Sequence, residues 1–226
     1  MKDAFHVHTY RCGHASNETE EDYIKKAINI GATTITFTDH APFPGDPFFD
    51  RMKFNELNEY VNLLHKLREE YKKEIRVRVG LEIEYLPTYI DYYKSLKKSN
   101  MFDVLMIGQH FYAIESKKYS FLLSEKELSE SEFIECGKSI VEGIETGLFD
   151  VVAHPDRIFR RRNRWDEDMK QVALQIIEAA EKHHVLLEQN ESSKRHDNQY
   201  WIEFWELVPQ KLIIQGVDAH ATSMML

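Results

Sequence analysis

Residues 4–14 read Ala-Phe-His-Val-His-Thr-Tyr-Arg-Cys-Gly-His, an apolar start that passes into two imidazoles and breaks at a glycine. The alternation predicts a strand over residues 4–8, and a period of two puts the rings of His6 and His8 on one face. Two convergent imidazoles are half of a metal site. An HxH pair also arises by chance or as a packed core pair, so the rest of the chain has to decide between the readings.

Outward from this stretch, short β-branched runs alternate with longer segments of helical period, the pattern of repeated βα units around a parallel sheet. Seven strands are predicted, over residues 4–8, 33–38, 77–83, 104–107, 151–153, 185–188 and 212–217. A helix is predicted to open at Asn17, with Glu20 three residues on, and to end at Gly31. Further helices are predicted over 55–72, 88–97, 131–146, 167–183 and 198–207, leaving 41–54, 111–129 and 157–165 irregular. No low-complexity segment, linker or internal repeat is visible, and residues 1–226 read as one domain.

The ionisable residues fall on this map in a regular way. His6 and His8 end the first strand and His14 follows it; Asp39 and His40 follow the second; Glu82 and Glu84 end the third. His110, His154 with Asp156, and Asp218 with His220 follow the fourth, fifth and seventh strands, while the sixth ends in the less ligand-like Glu188 and Asn190. In a parallel barrel the C-terminal strand ends share one face, so residues distant in sequence converge there. His6, His8, His14, His40, Glu82, His110, His154, Asp218 and His220 thus form a set of seven imidazoles and two carboxylates. Such a nitrogen-rich set suits zinc, manganese or iron better than calcium or magnesium. One zinc needs three or four ligands, so nine donors with a bridging carboxylate imply two or three ions.

Three divalent ions would bring six positive charges against two from Glu82 and Asp218, leaving a site that an anionic substrate completes. A phosphate monoester meets that demand, because clustered metals activate water and clamp the attacking and leaving oxygens of an in-line displacement. After His154 the run Arg157 to Arg164 carries Arg160 and Arg161, whose guanidinium forks match phosphate oxygens. The same run could instead be a solvated charge cluster pairing with Asp166, Glu167 and Asp168. Arg195, after the sixth strand, is a further candidate. Asp39 could protonate a leaving alkoxide or hold His40 in orientation, with the structural role favoured. Cys12 is expected to pack, His65, His183 and His184 to sit on helix surfaces or ends, and Phe43, Phe48, Phe49 and Tyr85 to form core or pocket wall. His196 is a weaker candidate for substrate contact.

The bulk composition sets limits. The 226 residues are 42% hydrophobic and 30% charged, as in soluble α/β proteins. A net charge of −9 disfavours binding to long nucleic acid. No signal peptide or membrane span is apparent and the chain is expected in the cytoplasm, where its two cysteines, Cys12 and Cys136, would stay reduced. Nothing in the sequence addresses the oligomeric state.

The strings HVHTYRCGH, FTDHAPFP, GLEIEY, GQHF, AHPD and GVDAH resemble, in order and spacing, the polymerase-and-histidinol-phosphatase (PHP) family, from Phe5 to the end of the chain. The resemblance implies a distorted (β/α)7 TIM-like barrel with a trinuclear centre. It implies that His6, His8, Glu82 and Asp218 hold one metal, that Glu82, His110 and His154 hold a second, and that His14, His40 and His220 hold the third. Glu82, Asp39 and Asp218 are then the candidate catalytic carboxylates. The CGH and HAPFP elements look most like histidinol-phosphatase members, which hydrolyse L-histidinol phosphate in histidine biosynthesis through a metal-activated hydroxide. Phosphate contacts would fall on Ser16, on Arg160 or Arg161, and on Arg195.

Three rival chemistries share some of these features. A family member acting on nucleotides, phosphotyrosine or DNA ends shares the motifs. An amidohydrolase-type C–N hydrolase also begins with HxH but needs a bridging lysine, for which no strand end here offers a residue. A non-catalytic metal-binding domain would have lost ligands, and all nine donors are present.

Overall fold

Strand β1 (Lys2–Val7) leads through a single turn of 3-10 helix, Tyr10–Cys12, to helix α1 (Glu20–Asn29). Then come β2 (Ala32–Phe37), α2 (Leu57–Tyr71), β3 (Arg76–Ile83), α3 (Ile90–Ser99) and β4 (Val104–Ile107). A short hairpin, β5 (Ala113–Glu115) with β6 (Lys118–Tyr119), precedes α4 (Glu132–Glu145) and β7 (Val151–Val152). Helix α5 (Glu167–His183), β8 (Leu186–Asn190), α6 (Ile202–Leu207) and β9 (Ile213–Gly216) complete the order. This computed structural model describes residues 2–115, 118–120, 132–195 and 199–225.

Seven strands hydrogen-bond in the order β1-β2-β3-β4-β7-β8-β9, and the β1–β2, β2–β3, β4–β7 and β7–β8 pairings are parallel. The α/β class and the seven-strand count follow the expectation. Chain contacts divide the protein into two compact units. The first holds the residues up to Glu82, Leu96–Leu105 and those from Gly216 on; the second holds Ile83–Ser95 and Met106–Gln215.

In the first unit the buried residues of β1, β2 and β3 (Phe5, Val7, Ile35, Phe37, Val77, Val79) form a core with Tyr23 and Ile24 of α1 and Tyr60 and Leu64 of α2. The other edge of β1 takes up the segment after β9: Val217 N–H donates to Phe5 O, His8 N–H to Ala219 O and Ala219 N–H to His6 O. Gly80 is required by close approach, since a Cβ there would lie 2.8 Å from Val104 O and 3.0 Å from Phe37 O. In the second unit α4 packs on α5, and Gly137 leaves room for Val172, whose Cγ1 would lie 2.3 Å from an added Cβ.

Several boundaries differ from expectation, each for a local reason. Helix α1 is capped by Thr19 with Asp22 in a reciprocal capping box, and not by Asn17 with Glu20, because Glu20 is the first helical residue and pairs with Arg11. The 111–129 stretch was expected to be irregular, yet it contains the β5–β6 hairpin. The last helix starts at Ile202 rather than 198; Trp201 is extended, and its N–H is taken by Asp156. His196, Asn198 and Ser131 lie outside the described residues.

Strand alternation does not by itself bring His6 and His8 together, for the β1–β2 register shifts between Phe5 and Val7 and His6 has φ +72°. A bulge re-aims a side chain that regular pleating would place elsewhere.

Candidate metal centre

The donors of the first unit come from four strand ends. His6 Nε2 and His8 Nε2 lie 2.8 Å apart, and each is 3.3 Å from Glu82 Oε2. Asp218 Oδ1 is 3.7 Å from His6 Nε2 and 3.4 Å from His8 Nε2. His40 Nδ1 approaches the same Glu82 oxygen at 3.1 Å, so one carboxylate oxygen serves three imidazoles. All of these side chains except that of His40 are at most 6% exposed.

These separations provide a test of fit. With metal–donor bonds of about 2.0–2.2 Å, neighbouring donors of a tetrahedral shell stand about 3.3–3.6 Å apart. The His6, His8, Glu82 and Asp218 distances, from 2.8 to 3.7 Å, bracket that edge length. A second convergent group, His14, His40 and His220, has donor atoms within 4.8 Å of one another. His220 stacks between His8, at 4.2 Å centroid separation, and His14, at 4.7 Å. His8 Nδ1 and His220 Nε2 are buried and make no hydrogen bond among the described residues. Orphaned buried polar atoms each cost about 1–3 kcal/mol, so a cluster of them fits a cation-binding role better than a packed core.

Local electrostatics point the same way. Burial opposes a charge on His8, but Asp218, Cys12 and Glu82 outweigh it and raise its pKa well above the ordinary histidine value. An environment that holds a proton on an imidazole also attracts a metal cation in its place. Burial together with the neighbouring His8 lowers the pKa of His220. His6 and Asp218 both have positive φ, +72° and +48°. Such strain persists where the surroundings dictate side-chain direction, and it clusters at functional sites.

Asp39 is fully buried and accepts from Thr9 N at 2.8 Å and Thr9 Oγ1 at 3.0 Å. It therefore pins the turn after His8, and burial pushes its pKa up to about 7. Ser16 Oγ donates to Glu18, and Ser16 N–H bonds His220 O at 2.8 Å, which sets this hydroxyl beside the end of the chain that carries His220.

In the second unit, His110 Nδ1 lies 3.1 Å from Glu84 Oε1, and its ring centroid is 5.1 Å from that of His154. Glu84, which sequence reasoning set at a strand end without assigning it a role, holds one His110 nitrogen and thereby aims the other. The signal was the spacing of two in Glu82-x-Glu84. Glu188 Oε2 accepts from His154 N and from Asn190 Nδ2. Asn190 Oδ1 in turn accepts from Arg157 Nη2 at 3.3 Å and Ser193 N at 2.9 Å. His154, like His6 and Asp218, has positive φ, at +31°.

The arginine run divides among several tasks. Arg161 pairs with Glu132 at 2.7 Å and Arg162 with Asp166, the N-cap of α5, while Arg157 reaches Ser193 and Asn190. Arg160 is partly buried beside Glu132, Cys136 and Arg161, and burial lowers its pKa. Arg195 is exposed in the short 3-10 turn Ser193–Arg195. Of these, Arg157 had received no separate role from sequence.

The family model described as PHP domain matches residues 4–192. The histidinol-phosphatase of Bacillus subtilis (strain 168) is 36% identical over 92 residues, which is 38% of this chain and 34% of that protein. In three curated relatives the aligned part is 34%, 59% and 39% of the relative's own length. A crystal structure from Listeria monocytogenes, itself provisionally assigned as a histidinol phosphatase, superposes with a TM-score of 0.81 at 16% identity, covering 99% of this chain and 97% of that one. The histidinol phosphate phosphatase of Lactococcus lactis, solved with zinc, L-histidinol and phosphate, gives a TM-score of 0.76 at 19% identity, covering 98% and 87%. At these identities the two likenesses show a shared fold.

Proposed function

The chain belongs to the PHP domain family, and from that premise we propose that it is a metal-dependent phosphomonoesterase that hydrolyses L-histidinol phosphate to L-histidinol and phosphate, a step of histidine biosynthesis. The observation that carries the reading is the meeting of His6, His8, Glu82 and Asp218 donor atoms at 2.8–3.7 Å, in a fold shared with a zinc-bound relative whose structure holds histidinol and phosphate. Divalent transition ions in such a cluster lower the pKa of bound water and neutralise phosphoryl charge.

The ligands in this reading are His6, His8, His14, His40, Glu82, Asp218 and His220 of the first unit. His110 and His154 are added on the strength of the GQHF and AHPD motifs. Glu82 bridges, because one of its oxygens is within 3.3 Å of three imidazoles. Asp39 fixes the turn that carries the loop to His14, and Glu84 and Glu188 orient the segments bearing His110 and His154. Ser16, Arg160 and Arg195 are the proposed phosphate contacts, with Arg161 the weaker of its pair because Glu132 already occupies it. Zinc, manganese and iron all suit the donor set. Among the described residues no helix is long and apolar enough to cross a membrane.

The test is phosphate release from a panel of metabolite monoesters, histidinol phosphate included, with the full chain loaded in turn with zinc, manganese or iron. Histidinol phosphate should lead the panel by at least about tenfold in kcat/KM, a difference of 1.4 kcal/mol in transition-state binding. A nucleotide or phosphotyrosine leading instead would replace the substrate while leaving the chemistry.

A further inference from the structure

Cys12 and Cys136 are both buried, yet their surroundings are opposite. Cys136 lies on the apolar face of α4 with Phe133 and Ile140, and burial pushes its thiol up to about 12. Cys12 is 0% exposed but stands among imidazoles. Its sulfur and one nitrogen each of His8 and His220 lie within 4.8 Å of one another, the spread of donors around a single ion. Two of the nitrogens in that neighbourhood, His8 Nδ1 and His220 Nε2, are buried atoms that make no hydrogen bond among the described residues, and His8 is itself fully buried.

The backbone explains how the sulfur comes to face this way. Thr9 caps the 3-10 turn Tyr10–Cys12 by accepting from Arg11 N, and Gly13 ends it at φ +83°, where a side chain would be strained. Cys12 N–H closes the turn onto Thr9 O at 3.2 Å, folding residue 12 back over the end of β1. One residue beyond Gly13, His14 turns its Nδ1 to Cys12 O at 3.1 Å, which leaves Nε2 for the group it forms with His40 and His220.

We infer that Cys12 is a sulfur ligand of the metal centre, its thiolate binding an ion beside the nitrogens of His8 and His220 that it faces. This rests on the proposed metal centre and extends it, for sequence alone had made Cys12 a packing residue. A thiolate binds with loss of the thiol proton, at about 2.3 Å from zinc, and favours zinc, iron or cobalt over manganese at that position.

The test strips the full-length chain with a chelator and titrates it with cobalt(II), a spectroscopic stand-in for zinc. Visible d–d absorption reports ions bound by nitrogen and oxygen, and a near-ultraviolet charge-transfer band reports a cobalt–thiolate bond. The wild type and Cys136→Ser should both show the charge-transfer band; Cys12→Ser should lose it and keep the d–d absorption. In parallel, X-ray absorption of the zinc-loaded wild-type chain should show a sulfur in the zinc shell at about 2.3 Å, a measurement that does not depend on the variant folding. Wild-type d–d absorption without a charge-transfer band, or a zinc shell without sulfur, overturns the ligand role of Cys12 and leaves the metal centre standing. Absence of both bands overturns the centre and the inference with it.

Discussion

The two units treat their clustered histidines differently. In the first, His6, His8 and His40 crowd one oxygen of Glu82, and His8 and His220 keep buried nitrogens that bond to nothing described. In the second, His110 is held by Glu84, and the backbone of His154 is held by Glu188, which Asn190, Arg157 and Ser193 support in turn. The first arrangement is costly as a packed core and favourable as a cation shell; the second fixes orientation through hydrogen bonds to one ring nitrogen of His110 and to the backbone of His154. Donor convergence therefore marks where charge is to be held, and hydrogen-bond satisfaction marks what holds the donors still.

The sharpest way to break this contrast is to delete a convergent donor. His8→Ala or Asp218→Ala should lower phosphate release by about a thousandfold or more, because several kcal/mol of charge stabilisation depend on the shell and each 1.36 kcal/mol is tenfold. Both variants should keep the wild-type circular dichroism spectrum, and near-normal turnover by either, with metal stripped, would refute the mechanism. On the orienting side, Glu84→Gln should weaken retention of the ion bound by His110 by about 10–100-fold, read by competition with a chromogenic chelator. An unchanged affinity would separate Glu84 from the metal chemistry.

Two stability changes calibrate the scaffold away from the donors. Gly80→Ala places a Cβ against backbone oxygens that cannot retreat without moving strands, so urea unfolding should show a loss of about 1–3 kcal/mol. Thr19→Ala removes the capping box of α1 and should cost about 1 kcal/mol, with activity unchanged at temperatures where the chain stays folded.

Much of the site was legible because metal chemistry restricts residue types. Histidines placed at the ends of apolar β-branched runs mark candidate donors, and those of the first unit do come together. Other roles were not legible because they depend on partners far away in sequence. That Glu84 holds His110, that Arg161 is taken by Glu132, and that Asp39 grips Thr9 are contacts made across 26, 29 and 30 residues. The true cap of α1 was missed for a related reason: Asn17 with Glu20 and Thr19 with Asp22 both fit a capping pattern, and the ion pair from Arg11 commits Glu20 to the core.

By itself, the sequence determined the α/β class, the seven parallel strands and a candidate set of metal donors, since periodicity and donor chemistry are local properties of the chain. The tertiary structure decided how those donors are aimed. His6 meets His8 through a bulge with positive φ and not through pleating, and the turn closed by Gly13 carries Cys12 back among the imidazoles. Aim depends on backbone torsions that packing imposes, and a run of letters does not encode those until the strands that enforce them are paired.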